Sequence, residues 1–230
     1  MRSFRAPSRL ALGLFVAALA VTPAAGAATP AESLAAVRAD PEYVEIGGFD
    51  GVAVDLRYAS TNNFVHTNVY GPFDRAFLRR PAAEKLRAAL RALRREHPGW
   101  KLRVFDALRP RSVQRIFWAR VVGTAQQPYV ADPEKGSLHN YGFAVDLTLQ
   151  DETGKELDMG TGFDDFTPRA EPVREAELLK SGQLSAAQLE NRRLLRRIMT
   201  GAGFAQRPNE WWHYDALPLE DARKDHPILE

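Results

Sequence analysis

An α+β fold in a single domain is predicted for this chain on three observations. Stretches of period-2 alternation and of helical periodicity are both present. They follow one another without the strand–helix–strand rhythm of a parallel sheet. Once an N-terminal leader is set aside, about 200 residues remain, which suits one domain with a hydrophobic core of its own.

The leader is read first. Arg2, Arg5 and Arg9 make a basic start, residues 10–21 are an unbroken run of apolar or small side chains, and Ala25-Gly26-Ala27 offers an A-x-A cleavage site. This pattern predicts an export signal over residues 1–27 and a mature domain over 28–230, hence a periplasmic or secreted product. The apolar run falls short of the roughly twenty residues that span a bilayer, so no membrane anchor is expected after cleavage. The chain has 31 basic and 29 acidic side chains; without the leader's three arginines, 28 basic face 29 acidic and the net charge is near −1. A nucleic-acid partner or a basic membrane-binding face therefore loses its electrostatic footprint. There is no cysteine, which excludes disulfides, thiolate ligands, a cysteine nucleophile and a cysteine-linked lipid. Any metal must be held by His, Asp or Glu.

Residues 52–58 alternate with β-branched side chains and predict a strand that runs into a polar turn at 60–63. Pro81 suits a first helical position, Leu86, Leu90 and Leu93 share one face, and Pro98-Gly99 stops the run. Residues 102–105 predict a short strand ending at Asp106-Ala107-Leu108-Arg109-Pro110, after which Val113, Ile116, Phe117 and Val121 mark another helix. Residues 123–137 have no period and read as a loop. In residues 142–149, Phe143, Val145, Leu147 and Leu149 alternate with Ala144, Asp146 and Thr148, predicting a half-buried strand with an acid on its less apolar face. Residues 151–183 read as a long functional or mobile loop. Ser185 with Gln188 forms a capping box for a helix striped by Leu195, Ile198, Met199 and Ala202 and ended by Gly203. A last strand is expected over 210–214.

Of five histidines, His66, His97 and His226 have ordinary readings in polar loops or at a helix end. His139 stands before the alternating strand, Asp146 lies on it, and His213 falls in Glu210-Trp211-Trp212-His213-Tyr214. Two imidazoles and one carboxylate form a set that catalytic zinc uses, with a further position left for water. Glu210 is then the natural base for that water. Spacing alone leaves chance open, because acids are many and an E-x-x-H is common; the two tryptophans serve equally as core anchors. In a regular strand, moreover, positions 210 and 213 point to opposite faces, so a bulge or strong twist is required for both to reach one ion.

Ser137-Leu138-His139-Asn140-Tyr141-Gly142-Phe143-Ala144-Val145-Asp146 resembles the S-x-H-x-x-G-x-A-x-D signature of zinc D,D-peptidases, and Glu210-Trp211-Trp212-His213 resembles their E-x-W-H element. The likeness extends from Arg57-Tyr58-Ala59 through residues 159–164 and Asn191-Arg192-Arg193 to Tyr214, and is greatest to the VanX-type D-alanyl-D-alanine dipeptidases. The resemblance implies the hedgehog/D,D-peptidase fold, a central antiparallel sheet with flanking helices. It implies one zinc ion on His139, Asp146 and His213, with Glu210 as catalytic base. Arg109, in the D-x-x-R-P motif, is implied to stabilise the oxyanion. Ser137 and Asp164 match positions that hold the substrate, a small D,D-dipeptide, with the Asp164 carboxylate facing its free amino group; Asp158 and Asp165 are close enough in sequence for loop geometry to shift this role to them. The leader is a departure, since the relatives that support glycopeptide resistance act in the cytoplasm. Two rivals are a D,D- or L,D-carboxypeptidase acting on peptidoglycan stems and a non-catalytic zinc-containing module; Glu210 and Arg109 argue against the latter.

Overall fold

The computed structural model describes residues 28–230; the predicted export signal lies outside the described residues. In chain order the elements are α1 (Pro30–Ala39), β1 (Tyr43–Glu45), β2 (Val52–Val54), β3 (Phe77–Arg79), α2 (Arg80–Glu96), β4 (Lys101–Asp106), α3 (Arg111–Val121), α4 (Leu138–Tyr141), β5 (Ala144–Gln150), α5 (Glu175–Lys180), α6 (Ala186–Gly201), β6 (Ala205–Gln206), β7 (His213–Asp215) and α7 (Leu219–Asp225). No described helix is long and apolar enough to cross a membrane.

The α+β expectation holds, with one correction to the sheet. Its order is β2-β4-β5-β7-β6, and the β2–β4 pair is parallel while the others are antiparallel. The sheet is therefore mixed. The reason is α2: a helix between two neighbouring strands returns the chain in its original direction, whereas a tight turn reverses it. A separate two-stranded ribbon pairs β1 with β3.

The helix predicted from Pro81 forms over α2, burying Ala82, Leu86, Ala89, Leu90 and Leu93. Each such leucine contributes roughly 1.5–3 kcal/mol on leaving water. In α6 both halves of the capping box are made: Ser185 Oγ accepts from the Gln188 amide at 3.2 Å, and Gln188 Oε1 accepts from the Ser185 amide at 2.8 Å.

Further expectations need correction. The strand at 52–58 stops at Val54, and Arg57–Ala59 forms a 3-10 turn instead. In α3, Ile116 is exposed and Gln114 is buried in its place. The strand at 142–149 appears as β5, but all its residues are buried, so neither face meets water. The 151–183 segment is not a bare loop, since it holds two 3-10 turns and α5. It packs over the sheet and carries Phe163 to within 5.1 Å of Phe105 and 5.5 Å of Trp212, ring centre to ring centre.

Candidate active site

Three neighbouring strands align three polar side chains. A register shift between Val104 and Asp106 sets Asp106 opposite Asp146, and Asp146 lies opposite His213. Such a bulge re-aims the side chains that follow it. His139 joins the row from α4, a single turn capped by Ser137, whose Oγ accepts from the His139 amide at 3.3 Å. Asn140 ties this turn to the β4 end by donating to the Arg109 carbonyl at 2.9 Å. Gly142 ends it with φ +77°, and a Cβ there would stand 3.1 Å from the Arg79 amide nitrogen. The glycine of the signature is thus needed for both backbone angle and space.

His139, Asp146 and His213 are all buried, and each offers an atom within 4.8 Å of the others'. His139 Nδ1 lies 2.6 Å from the Ala107 carbonyl, to which it can donate, leaving Nε2 turned to Asp146 Oδ2 at 3.3 Å. His213 Nε2 lies 2.7 Å from Asp215 Oδ1, leaving Nδ1 at 3.0 Å from Asp146 Oδ1. Outer partners of this kind fix which nitrogen is free to ligate. Burial disfavours the charged forms here, yet Asp215 and Asp146 hold the His213 pKa up at about 10. Burial likewise opposes ionisation of Asp146, but the two imidazoles hold its carboxyl well below the usual range. The cluster calls for positive charge. Asp146 Oδ1 is buried with His213 Nδ1 as its close polar neighbour, a contact outside good hydrogen-bond geometry. Two imidazole nitrogens and one carboxylate fit a divalent ion such as zinc.

Glu210 is not on a strand. It precedes a turn at Trp211-Trp212 that leads into β7, and this turn brings its Oε2 to 3.7 Å from His213 Nδ1. That answers the objection raised by strand alternation, with a turn where a bulge or twist had been required. Burial raises the Glu210 pKa, with His213 opposing. Arg109 is buried and held from several sides: Nε donates to Asp106 Oδ2 at 2.9 Å, Nη2 to the same oxygen at 2.5 Å, and Nη1 to Gln114 Oε1 at 2.8 Å. Its guanidinium lies over the rings of Tyr58 and Phe117, and Nη2 is 3.7 Å from Asp146 Oδ2.

Ser137, Arg109, Asp164 and Glu210 line one cleft with the three candidate ligands. Asp164 lies on a wall of that cleft, accepting from Tyr58 Oη at 2.8 Å and from the Phe64 amide at 3.2 Å. Burial pushes its pKa up to about 8. Every residue singled out from the sequence thus faces the same space.

A family model described as D-ala-D-ala dipeptidase matches residues 42–229. The chain belongs to the D-Ala-D-Ala dipeptidase family. It is similar to the D-alanyl-D-alanine dipeptidase of Escherichia coli, 34% identical over 73% of this chain and 80% of the relative. It is also similar to those of Enterococcus faecalis, 30% identical over 73% and 87%, and Streptomyces coelicolor, 33% identical over 77% and 93%. The family is one of zinc peptidases, and the buried His-Asp-His group of this member has the chemistry to bind such a metal.

Sequence reasoning missed several residues that line this dipeptidase-family site or contact its candidate ligands. Asp215 could have been found, since in a strand positions 213 and 215 share a face. Tyr58 lies in a stretch whose alternation predicts a strand but which folds as a 3-10 turn. Arg207 lines the cleft with its Nε 4.0 Å from Asp215 Oδ2, and nothing in its sequence setting signals this. Replacing Asp215 with alanine is expected to weaken zinc affinity by about 10–100-fold, because His213 loses the partner that fixes its free nitrogen. Competition with a chromophoric chelator measures it; unchanged affinity would mean that Asp215 does not orient the ligand.

Proposed function

We propose that the chain hydrolyses D-alanyl-D-alanine to two D-alanines, with one zinc ion held by His139, Asp146 and His213. The observation that carries this reading is that a buried triangle of candidate ligands shares its cleft with a carboxylate base, a fixed guanidinium and a second carboxylate on another wall. Zinc in such a site supplies Lewis acidity, making water acidic enough to lose a proton near neutral pH.

The side chains do the rest. Glu210, whose pKa is raised by burial, takes a proton from the attacking water as its oxygen bonds to the peptide carbon. It then gives that proton to the leaving nitrogen as the C–N bond breaks, which yields a free amine and a carboxylate. Arg109 donates to the oxygen that becomes negative in the tetrahedral species. Asp106 and Gln114 already hold the guanidinium, so little reorganisation accompanies the charge development. Ser137 lines the cleft beside His139, and its role in this reading is to hold the substrate. Asp164 is the counter-charge for the substrate ammonium. A dipeptidase requires such a group; an enzyme trimming long peptides meets an amide there.

Comparing free D-Ala-D-Ala with its N-acetyl derivative tests the substrate assignment. The free dipeptide is expected to be cut faster, by roughly tenfold or more, the range of a lost charge-assisted contact in a buried site. Faster cleavage of the acylated compound would point to a carboxypeptidase. A pH dependence follows from Asp164, whose carboxyl carries a proton below about pH 8 in the free site. The ammonium favours its ionised form, so binding releases a proton and KM falls as pH rises towards 8. Asp164→Asn should abolish that limb of the KM profile. A limb that survives in the variant would remove Asp164 from amine recognition.

Export over residues 1–27 belongs to the same proposal, supported by the basic start, apolar run and A-x-A site. A periplasmic or secreted enzyme would scavenge dipeptide released from the cell wall.

A further inference from the structure

Asp164 stands at the apex of a loop whose two ends meet at one side chain. Arg192 of α6 is 1% exposed. Its Nε donates to the Met159 carbonyl at 2.7 Å and its Nη2 to the Arg169 carbonyl at 2.9 Å. These acceptors lie five residues before and five residues after Asp164. The same helix adds two bonds at the loop's start: Asn191 Nδ2 to the Asp158 carbonyl and Gln188 Nε2 to Asp158 Oδ2, both 2.9 Å. Arg169 Nη2 closes the neck by donating to the Gly160 carbonyl at 3.0 Å. Gly160 has φ +85°, and a Cβ there would fall 2.6 Å from Leu184 Cδ1, so the neck sits flush against the segment before α6.

A buried cation is costly, and this one is not fully paired. Nη1 has no hydrogen-bond partner among the described residues, the nearest carboxylate oxygen, on Glu175, being 3.9 Å away. Burial lowers the Arg192 pKa only to about 10, so the group remains charged at neutral pH. What the guanidinium achieves is to donate in two directions from one rigid plane, which a lysine cannot copy. The loop it spans needs restraint: Asp164 has φ +61°, a left-handed conformation that non-glycine residues keep only where the surroundings enforce it.

We infer that Arg192 is a positioning residue for substrate recognition, tying residues 159 and 169 together so that the loop between them presents the Asp164 carboxylate to the substrate's ammonium. This rests on the reading of Asp164 as the amine's counter-charge. A second route is open in principle, because Arg192 also lies 6.0 Å from the ring of Trp211, the neighbour of Glu210. The two routes differ in kinetics. An ammonium contact is made in ground and transition states alike and acts on KM, whereas Glu210 acts on kcat.

The test uses Arg192→Lys, which keeps the charge, and Arg192→Gln, each as zinc-loaded mature protein. Hydrogen exchange of amides 160–166 is expected to speed up by about tenfold, with β5 unaffected, since the loop loses both anchors. KM for free D-Ala-D-Ala should rise roughly tenfold, with kcat within about twofold of wild type. In an Asp164→Asn background, Arg192→Lys should change KM no further. Unchanged exchange in a folded variant overturns the clamp. Faster exchange with unchanged KM, a loss confined to kcat, or an undiminished KM effect in the Asp164→Asn background overturns the positioning role. A wild-type enzyme that leaves the dipeptide intact overturns the functional reading instead, and the exchange data still decide the clamp.

Discussion

Glu210→Gln is expected to lower kcat by about a thousandfold, within the range that general-base catalysis supplies, while zinc content stays at the wild-type level. The substitution preserves shape and removes only the ability to take a proton. Zinc should be retained because Glu210 lies outside the ligand triangle, its Oε2 standing 3.7 Å from His213 Nδ1. His213→Ala is the contrasting case, in which affinity for the metal is itself lost, since one of three ligands is gone. Metal analysis of both purified variants alongside their turnover separates the two roles. Equal zinc loss in both would make Glu210 a ligand and leave the site without an assigned base.

The second large effect is expected at Arg109. Arg109→Ala would confound rate with stability, because Asp106, fully buried, would lose the cation that pairs with it. Removing one partner of a buried ion pair costs about 3–5 kcal/mol. Arg109→Lys keeps the charge but cannot bridge Asp106 and Gln114 while also pointing a donor into the cleft. It should lower kcat about a hundredfold, the size of one lost oxyanion donor, with a smaller change in KM. The melting temperature should move far less than in Arg109→Ala. An unchanged rate would reduce Arg109 to a structural partner of Asp106.

How much of this was legible in the sequence depends on element length. The helices α2 and α6 run for 17 and 16 residues, long enough to repeat an apolar stripe and to carry a proline start or a capping box. By contrast β1, β3, β6 and β7 have three residues or fewer, and α4 has four, too few to display a period. Strand β5 was legible as alternation but misjudged as half exposed. Its polar positions are buried, Asp146 on the cleft and Gln150 bridged to Glu156 of the following segment. The candidate ligands were legible as residue types in order. Their convergence was not, because it arises from the Val104–Asp106 bulge and from the turn that swings Glu210 towards His213. Tertiary contacts of that kind leave no local trace. Nor do the outer partners Gln114 and Arg192, which sit on helices as ordinary polar residues until the loops they hold are in place.

The most direct test of the central claim is D-alanine release from D-Ala-D-Ala by the purified mature chain, measured as isolated, after treatment with a chelator, and after zinc is restored. The account predicts release that stops with the chelator and returns with zinc. Release that persists after the metal is stripped, or its absence from a folded, zinc-loaded protein, would contradict it.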